Sequence, residues 1–118
     1  MGIDARNLIK SCTFLVSLYL GMTTVALAGG GQTGKITFLT LRGSDGLVLV
    51  ELAGSATGKP GCALYSYWIL RDETSLIGKQ QLAFLLAAKA AGQTVAISGT
   101  GSCSRWHDGE DIDTVQLQ

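Results

Sequence analysis

The sequence has a single histidine and a single proline, and its charges cancel: nine Lys and Arg stand against nine Asp and Glu. One histidine excludes a multi-histidine metal centre. The lack of net positive charge removes the electrostatic footprint that nucleic acid or an anionic membrane surface calls for. Charge of either sign is sparse, at 15% of residues against 47% hydrophobic, a balance that argues against disorder. Sixteen glycines to one proline point to many turns and no stiff linker. With 118 residues, one domain is the ceiling.

What is present divides the chain in two. Residues 1–28 have the pattern of a signal peptide: Arg6 and Lys10, diluted by Asp4, then an apolar core over 13–20, then Ala26-Leu27-Ala28. That triplet is the small-x-small pattern a signal peptidase accepts. The alternative is an uncleaved membrane anchor, for which the apolar stretch is near the lower limit and is broken by Ser17, Gly21, Thr23 and Thr24. Gly29 follows the cleavage point, where a lipoprotein would have Cys. Cleavage after Ala28 leaves a domain of residues 29–118, secreted or periplasmic. It also removes Cys12, leaving Cys62 and Cys103. An even pair in a small exported domain implies a disulfide; free thiols are the alternative and require a reducing compartment. A bridge closing a loop of this length is worth about 4 kcal/mol by chain entropy.

Along the exported part, 29–34 is glycine-rich and is expected to be a flexible lead-in. Strands are expected over 35–41 and 47–52, joined by a hairpin at Asp45-Gly46. Both faces of these strands are apolar, which implies a second buried surface. A Gly- and Ser-rich loop over 53–61 precedes a third strand over 63–70. Asp72-Glu73-Thr74-Ser75 supplies an acidic approach and a hydroxyl cap for a helix over 76–91, and Gly92 ends it. The helix carries two apolar stripes, one with Leu82, Leu85 and Leu86, the other with Ile77, Phe84 and Ala88. A helix apolar on two sides is either buried on both or meets another subunit, which makes Ile77, Phe84 and Ala88 the candidate oligomer interface. Strands over 94–98 and 112–117 complete the order β-β-β-α-β-β. This is a mainly β chain with one helix and one disulfide, in the order of a five-stranded OB-fold-like barrel; an open α+β sandwich has the same elements.

The segment from Cys62 to Cys103 holds a cysteine, an aromatic strand, a Leu- and Ala-rich helix, Ala91-Gly92-Gln93-Thr94-Val95-Ala96-Ile97 and a second cysteine. It resembles the binding (B) subunits of subtilase-cytotoxin-type AB5 toxins and their small exported relatives. The resemblance implies an OB-fold, a ring of five subunits with helices lining its centre, and recognition of host glycans. The family's sugar-contacting residues, near its N-terminal region, have no counterparts in 29–40, so none is carried over.

Several local patterns lack their chemical context. Gly29 to Lys35 fits G-x-x-x-x-G-K, but a phosphate loop needs a strand before it, a helix after it and Ser or Thr for Mg²⁺; here Ile36 follows and a strand comes next. Ser102, Cys103 and His107 place a nucleophile near a base, yet a bridged Cys103 is no nucleophile, and adjacent loop residues rarely make a rigid triad. No enzymatic activity and no cofactor are expected. Asp108, Glu110, Asp111 and Asp113 offer Ca²⁺-type oxygens, at a spacing that matches no EF-hand loop; the bland alternative is a solvated acidic loop, and no metal is assigned.

The aromatics carry the sharper expectation. Tyr65, Tyr67, Trp68 and Trp106 are the candidate ligand-binding residues, because aromatic faces stack on sugar rings and OB-folds use a strand face for such ligands. Tyr65 and Tyr67 alternate with Trp68, so the two tyrosines and the tryptophan face opposite sides. Setting aside Arg6, Lys10 and Asp4 leaves seven basic and eight acidic residues, which disfavours nucleic acid. The expectation is an exported module that binds a host or surface glycan or a protein partner, with no membrane attachment after cleavage and with homo-oligomerisation, as a pentamer if toxin-like. The alternative is a solitary structural or interaction domain with no small-molecule ligand.

Overall fold

The computed structural model describes residues 29–118; the predicted leader, its cleavage triplet and Cys12 lie outside the described residues. Five strands and one helix follow in the order β1 (Gly31–Leu41), β2 (Val48–Leu52), β3 (Trp68–Ile69), α1 (Leu76–Ala91), β4 (Thr94–Gly99) and β5 (Glu110–Leu117). The strands close into a barrel in the order β1-β2-β3-β5-β4. Every pairing is antiparallel except β3 with β5. The chain is therefore mainly β with one helix, an OB-fold-like closed barrel of five strands.

Closure depends on β1, which serves two neighbours. Its first half pairs with β4, from Gly31 opposite Ser98 to Lys35 opposite Thr94. Its second half pairs with β2, from Ile36 opposite Leu52 to Leu41 opposite Val48. A register shift between Ile36 and Phe38 marks the bend, as bulges do where a strand changes partner. The expected flexible lead-in is thus corrected: from Gly31 on it is strand, because the free edge of β4 supplies hydrogen bonds that a glycine-rich backbone can approach closely. Gly34 is needed on the other side of β1, where a Cβ would run into the Ala53 carbonyl just past β2.

The third strand is far shorter than the expected 63–70, with only Trp68 and Ile69 in the sheet. The Lys59 ammonium donates to the carbonyls of Ser66 (3.3 Å) and Tyr67 (3.0 Å), so those acceptors are taken by a side chain. At the other end, β5 starts two residues early and draws Glu110 and Asp111 into the barrel.

Side chains from all five strands meet α1 in one core, with Val50, Trp68, Leu85, Ala88 and Val95 fully buried. Burying each large apolar side chain contributes roughly 1.5–3 kcal/mol. Ser75 caps α1, its hydroxyl accepting from the Gly78 N–H at 3.0 Å, and Gly92 ends it at φ 63°. The two helical stripes do not each find a surface. The buried face runs between them through Gly78, Leu85 and Ala88, leaving Ile77 and Phe84 exposed on one flank and Leu86 on the other.

Candidate functional site

Three loops come into contact, the β1–β2 hairpin and the β2–β3 loop each meeting the third, the β4–β5 loop. The Cys62–Cys103 disulfide, with Cα atoms 6.2 Å apart, joins the second to the third. The Leu64 N–H adds a bond to the Asp108 carbonyl at 3.0 Å. Asp111 is buried and shapes the β4–β5 loop from inside, its carboxylate accepting from the N–H groups of Ser104 (2.9 Å) and Arg105 (3.1 Å). Arg105 then reaches out of the loop. Its guanidinium bonds both Glu73 oxygens at 2.8 and 3.2 Å and the Asp45 carbonyl at 3.2 Å. That hydrogen bonding holds the Glu73 carboxyl below its usual range and raises Arg105.

Aromatic side chains cover this framework. Tyr65 and Tyr67 stack with ring centres 5.5 Å apart and planes 14° from parallel. The Tyr67 hydroxyl donates to Asp108. Burial first, and this bond second, push the Tyr67 phenol up to about 12, with the Trp106 side chain pulling the other way through hydrogen bonding. Trp106 packs against His107 at 4.8 Å and receives the Arg42 guanidinium at 4.3 Å from its ring centre. Arg42 is itself held by Asp45 at 2.6 and 2.9 Å, and that bond keeps the Asp45 carboxyl well below the usual carboxylate range. Tyr65 is exposed, while Tyr67 and Trp106 are half-buried.

The structure therefore brings together three of the four expected binding aromatics. The fourth is a correction: Trp68 is fully buried. The alternation along the chain is as expected, with the tyrosines outside and Trp68 inside. Its indole N–H donates to Gln32 Oε1 at 2.8 Å, and the Gln32 amide donates to the carbonyls of Leu52 and Gly54. The Lys59 ammonium lies 4.0 Å from the Trp68 ring centre, and burial lowers the Lys59 pKa against the raising pull of Glu110. Among the expected interface residues, Ala88 is likewise corrected to core, fully buried, whereas Ile77 and Phe84 are exposed.

The acidic cluster does not converge. Glu110 and Asp111 are buried and bonded to backbone N–H groups, Asp108 faces Tyr67, and Asp113 is exposed beside Thr114. Among the described residues no three His, Cys, Asp or Glu side chains are grouped to hold a metal ion. Ser102 shares its hydroxyl with Thr100 and Ser104, and His107 reaches Asp108 at 3.6 Å. Gly34, in the G-x-x-x-x-G-K match, lies inside β1.

Sequence reasoning grouped Asp108 and Glu110 only as part of an acidic cluster, and it placed neither Asp108 at Tyr67, nor Glu110 at Gly101, nor Arg42 at Trp106. Only contacts across the fold identify them. Two clefts, of about 330 and 210 Å³, open elsewhere, between the start of α1 and β5, and share Ile77, Gln81 and Asp113. Neither includes an aromatic residue of the loop cluster. No protein-family model, curated protein or solved structure matches the chain.

Proposed function

We propose that the protein is an exported carbohydrate-binding module, with Tyr65, Tyr67 and Trp106 as its sugar-facing surface. The observation that carries this is the meeting of the Tyr65–Tyr67 pair and Trp106 from two loops, with the Asp108 carboxylate at the Tyr67 hydroxyl. Aromatic rings offer apolar area at low entropic cost. Carboxylate, guanidinium and hydroxyl groups beside them supply the hydrogen bonds that orient a polyol. Trp106 and its neighbour Arg42 lie on the loops after strands four and one, which such barrels use in binding, and the tyrosines add the β2–β3 loop beside them. A ligand without charge also suits a domain whose seven basic and eight acidic residues nearly cancel. The disulfide and the Arg105 contacts prearrange the loops, which lowers the ordering cost on binding.

A glycan array probed with the purified, processed protein tests the proposal. Binding to a defined sugar class that Tyr65→Ala and Trp106→Ala abolish supports it, while binding unchanged in both variants overturns it.

A second reading has its own observation. Helix α1 exposes Leu76, Ile77, Phe84 and Leu86 and carries only Lys79 and Lys89 as charges. Ile77 and Phe84 share one flank of the helix, and neighbouring exposed apolar groups of this kind mark interaction surfaces. The reading is self-association of this chain through α1, consistent with the toxin-subunit resemblance and compatible with sugar binding at the loop cluster.

A further inference from the structure

Glu110 is fully buried, and its carboxylate lies at the start of the described chain. It accepts the Gly30 N–H at 3.0 and 3.2 Å and the Gly101 N–H at 2.9 Å. Gly29 lies alongside: a Cβ placed on it would stand 2.7 Å from Glu110 Oε2 and would collide with the Gly99 carbonyl. A Cβ on Gly30 would meet Glu110 Oε1 and the Lys59 Cγ, each at 2.8 Å. The segment is held along its length, by the Gly99 N–H to the Gly30 carbonyl at 2.8 Å and by paired bonds between Gly31 and Thr57 at 2.9 Å.

These bonds leave a charge imbalance. A buried carboxylate is costly unless a cation compensates it. Among the described residues Glu110 forms no salt bridge. Lys59 acts on it through space, but the Lys59 ammonium bonds to the Ser66 and Tyr67 carbonyls. The donors on Glu110 are neutral amides. Gly29 is also the residue that follows the Ala26-Leu27-Ala28 peptidase pattern.

We infer that cleavage between Ala28 and Gly29 creates an α-ammonium that pairs with the buried Glu110 carboxylate, so that removing the leader completes the charge balance of the barrel. Water adds across the Ala28–Gly29 amide: its oxygen joins the carbonyl carbon to give the Ala28 carboxylate, and the C–N bond breaks. The Gly29 nitrogen takes up the protons and becomes the ammonium. In the uncleaved chain the same nitrogen is a neutral amide with one hydrogen. The glycines at 29 and 30 are what let the new terminus fit beside Gly99 and Lys59. The inference rests on processing after Ala28 and is independent of sugar binding.

The test uses the processed protein recovered after export. Mass spectrometry first reads its N-terminus, and any start other than Gly29 overturns the inference. The α-amine is then acylated across a pH series and followed by peptide mapping, in native and in unfolded protein. The ion pair raises the amine pKa by about one to three units, so native labelling near neutral pH is about tenfold slower or more. Glu110→Gln returns the pH profile to that of unfolded chain. Should that variant fail to fold, the native profile of the wild-type protein decides: an upward shift supports the pair and an unshifted profile refutes it.

Discussion

The Arg42 guanidinium lies over the Trp106 ring, 4.3 Å from its centre. This contact joins the β1–β2 hairpin to the β4–β5 loop, which are 64 residues apart in the chain. Cation–π pairs of this kind contribute about 0.5–1 kcal/mol at exposed sites. Here the pair also fixes the tilt of a side chain proposed to meet sugar. Arg42→Ala is expected to weaken glycan affinity several-fold through a mobile Trp106, with a small change in melting temperature; isothermal titration and thermal melts check this.

The Tyr67 hydroxyl bond to Asp108 joins the aromatic stack to the β4–β5 loop. Tyr67→Phe keeps the ring and removes the bond, at an expected cost of about 1 kcal/mol in denaturant unfolding. The phenol is pushed up to about 12, so the folded state holds its proton more tightly than the unfolded chain. Its stabilising effect is complete below the unfolded value near 10 and is lost as pH rises towards about 12. An ultraviolet titration should show one phenol ionising late, and that step should vanish in Tyr67→Phe.

The Cys62–Cys103 bridge closes a loop with a sequence separation of 41. Removing it as Cys62→Ser with Cys103→Ser is expected to cost about 4 kcal/mol. For a domain of this size that corresponds to a drop in melting temperature of ~15 °C or more. Thermal melts of the variant against the oxidised protein measure it.

Arg105 and Glu73 link the β4–β5 loop to the turn before α1, at 2.8 and 3.2 Å. Because the Glu73 carboxyl is held below its ordinary value by this bond, the contribution is present above the unfolded value near 4.5 and is lost as pH falls through the folded one. Glu73→Gln should flatten the acid limb of stability against pH in this window, and a parallel acid limb would contradict it.

Self-association through α1 predicts that Phe84→Glu lowers the mass measured by light scattering to that of one chain. An unchanged mass in the variant removes this reading.

The barrel was legible where local chemistry acts alone. Ser75 and Gly92 bound the helix because a hydroxyl cap and a left-handed residue need no distant partner. The cysteine pair was legible because only two of the three cysteines lie outside the expected leader. Gly31–Gly34 was not legible as strand, since its pairing depends on the edge of β4, more than sixty residues on. The third strand shortened because Lys59, a loop residue, captured two of its carbonyls. Of the aromatics, residue type alone did not separate Trp68 from Trp106. The separation comes from Gln32, which gives the buried indole a partner inside the barrel, and from Arg42, which meets the other outside.

Those two tryptophans offer the most direct measurement of the central claim. In ¹⁵N NMR spectra of the processed protein titrated with the sugar selected on the array, the Trp106 indole N–H signal and the Leu64–Tyr67 amides should move together while the Trp68 indole stays fixed. Shifts confined to the Ile77–Phe84 side of α1, with the Trp106 signal unmoved, would contradict the account.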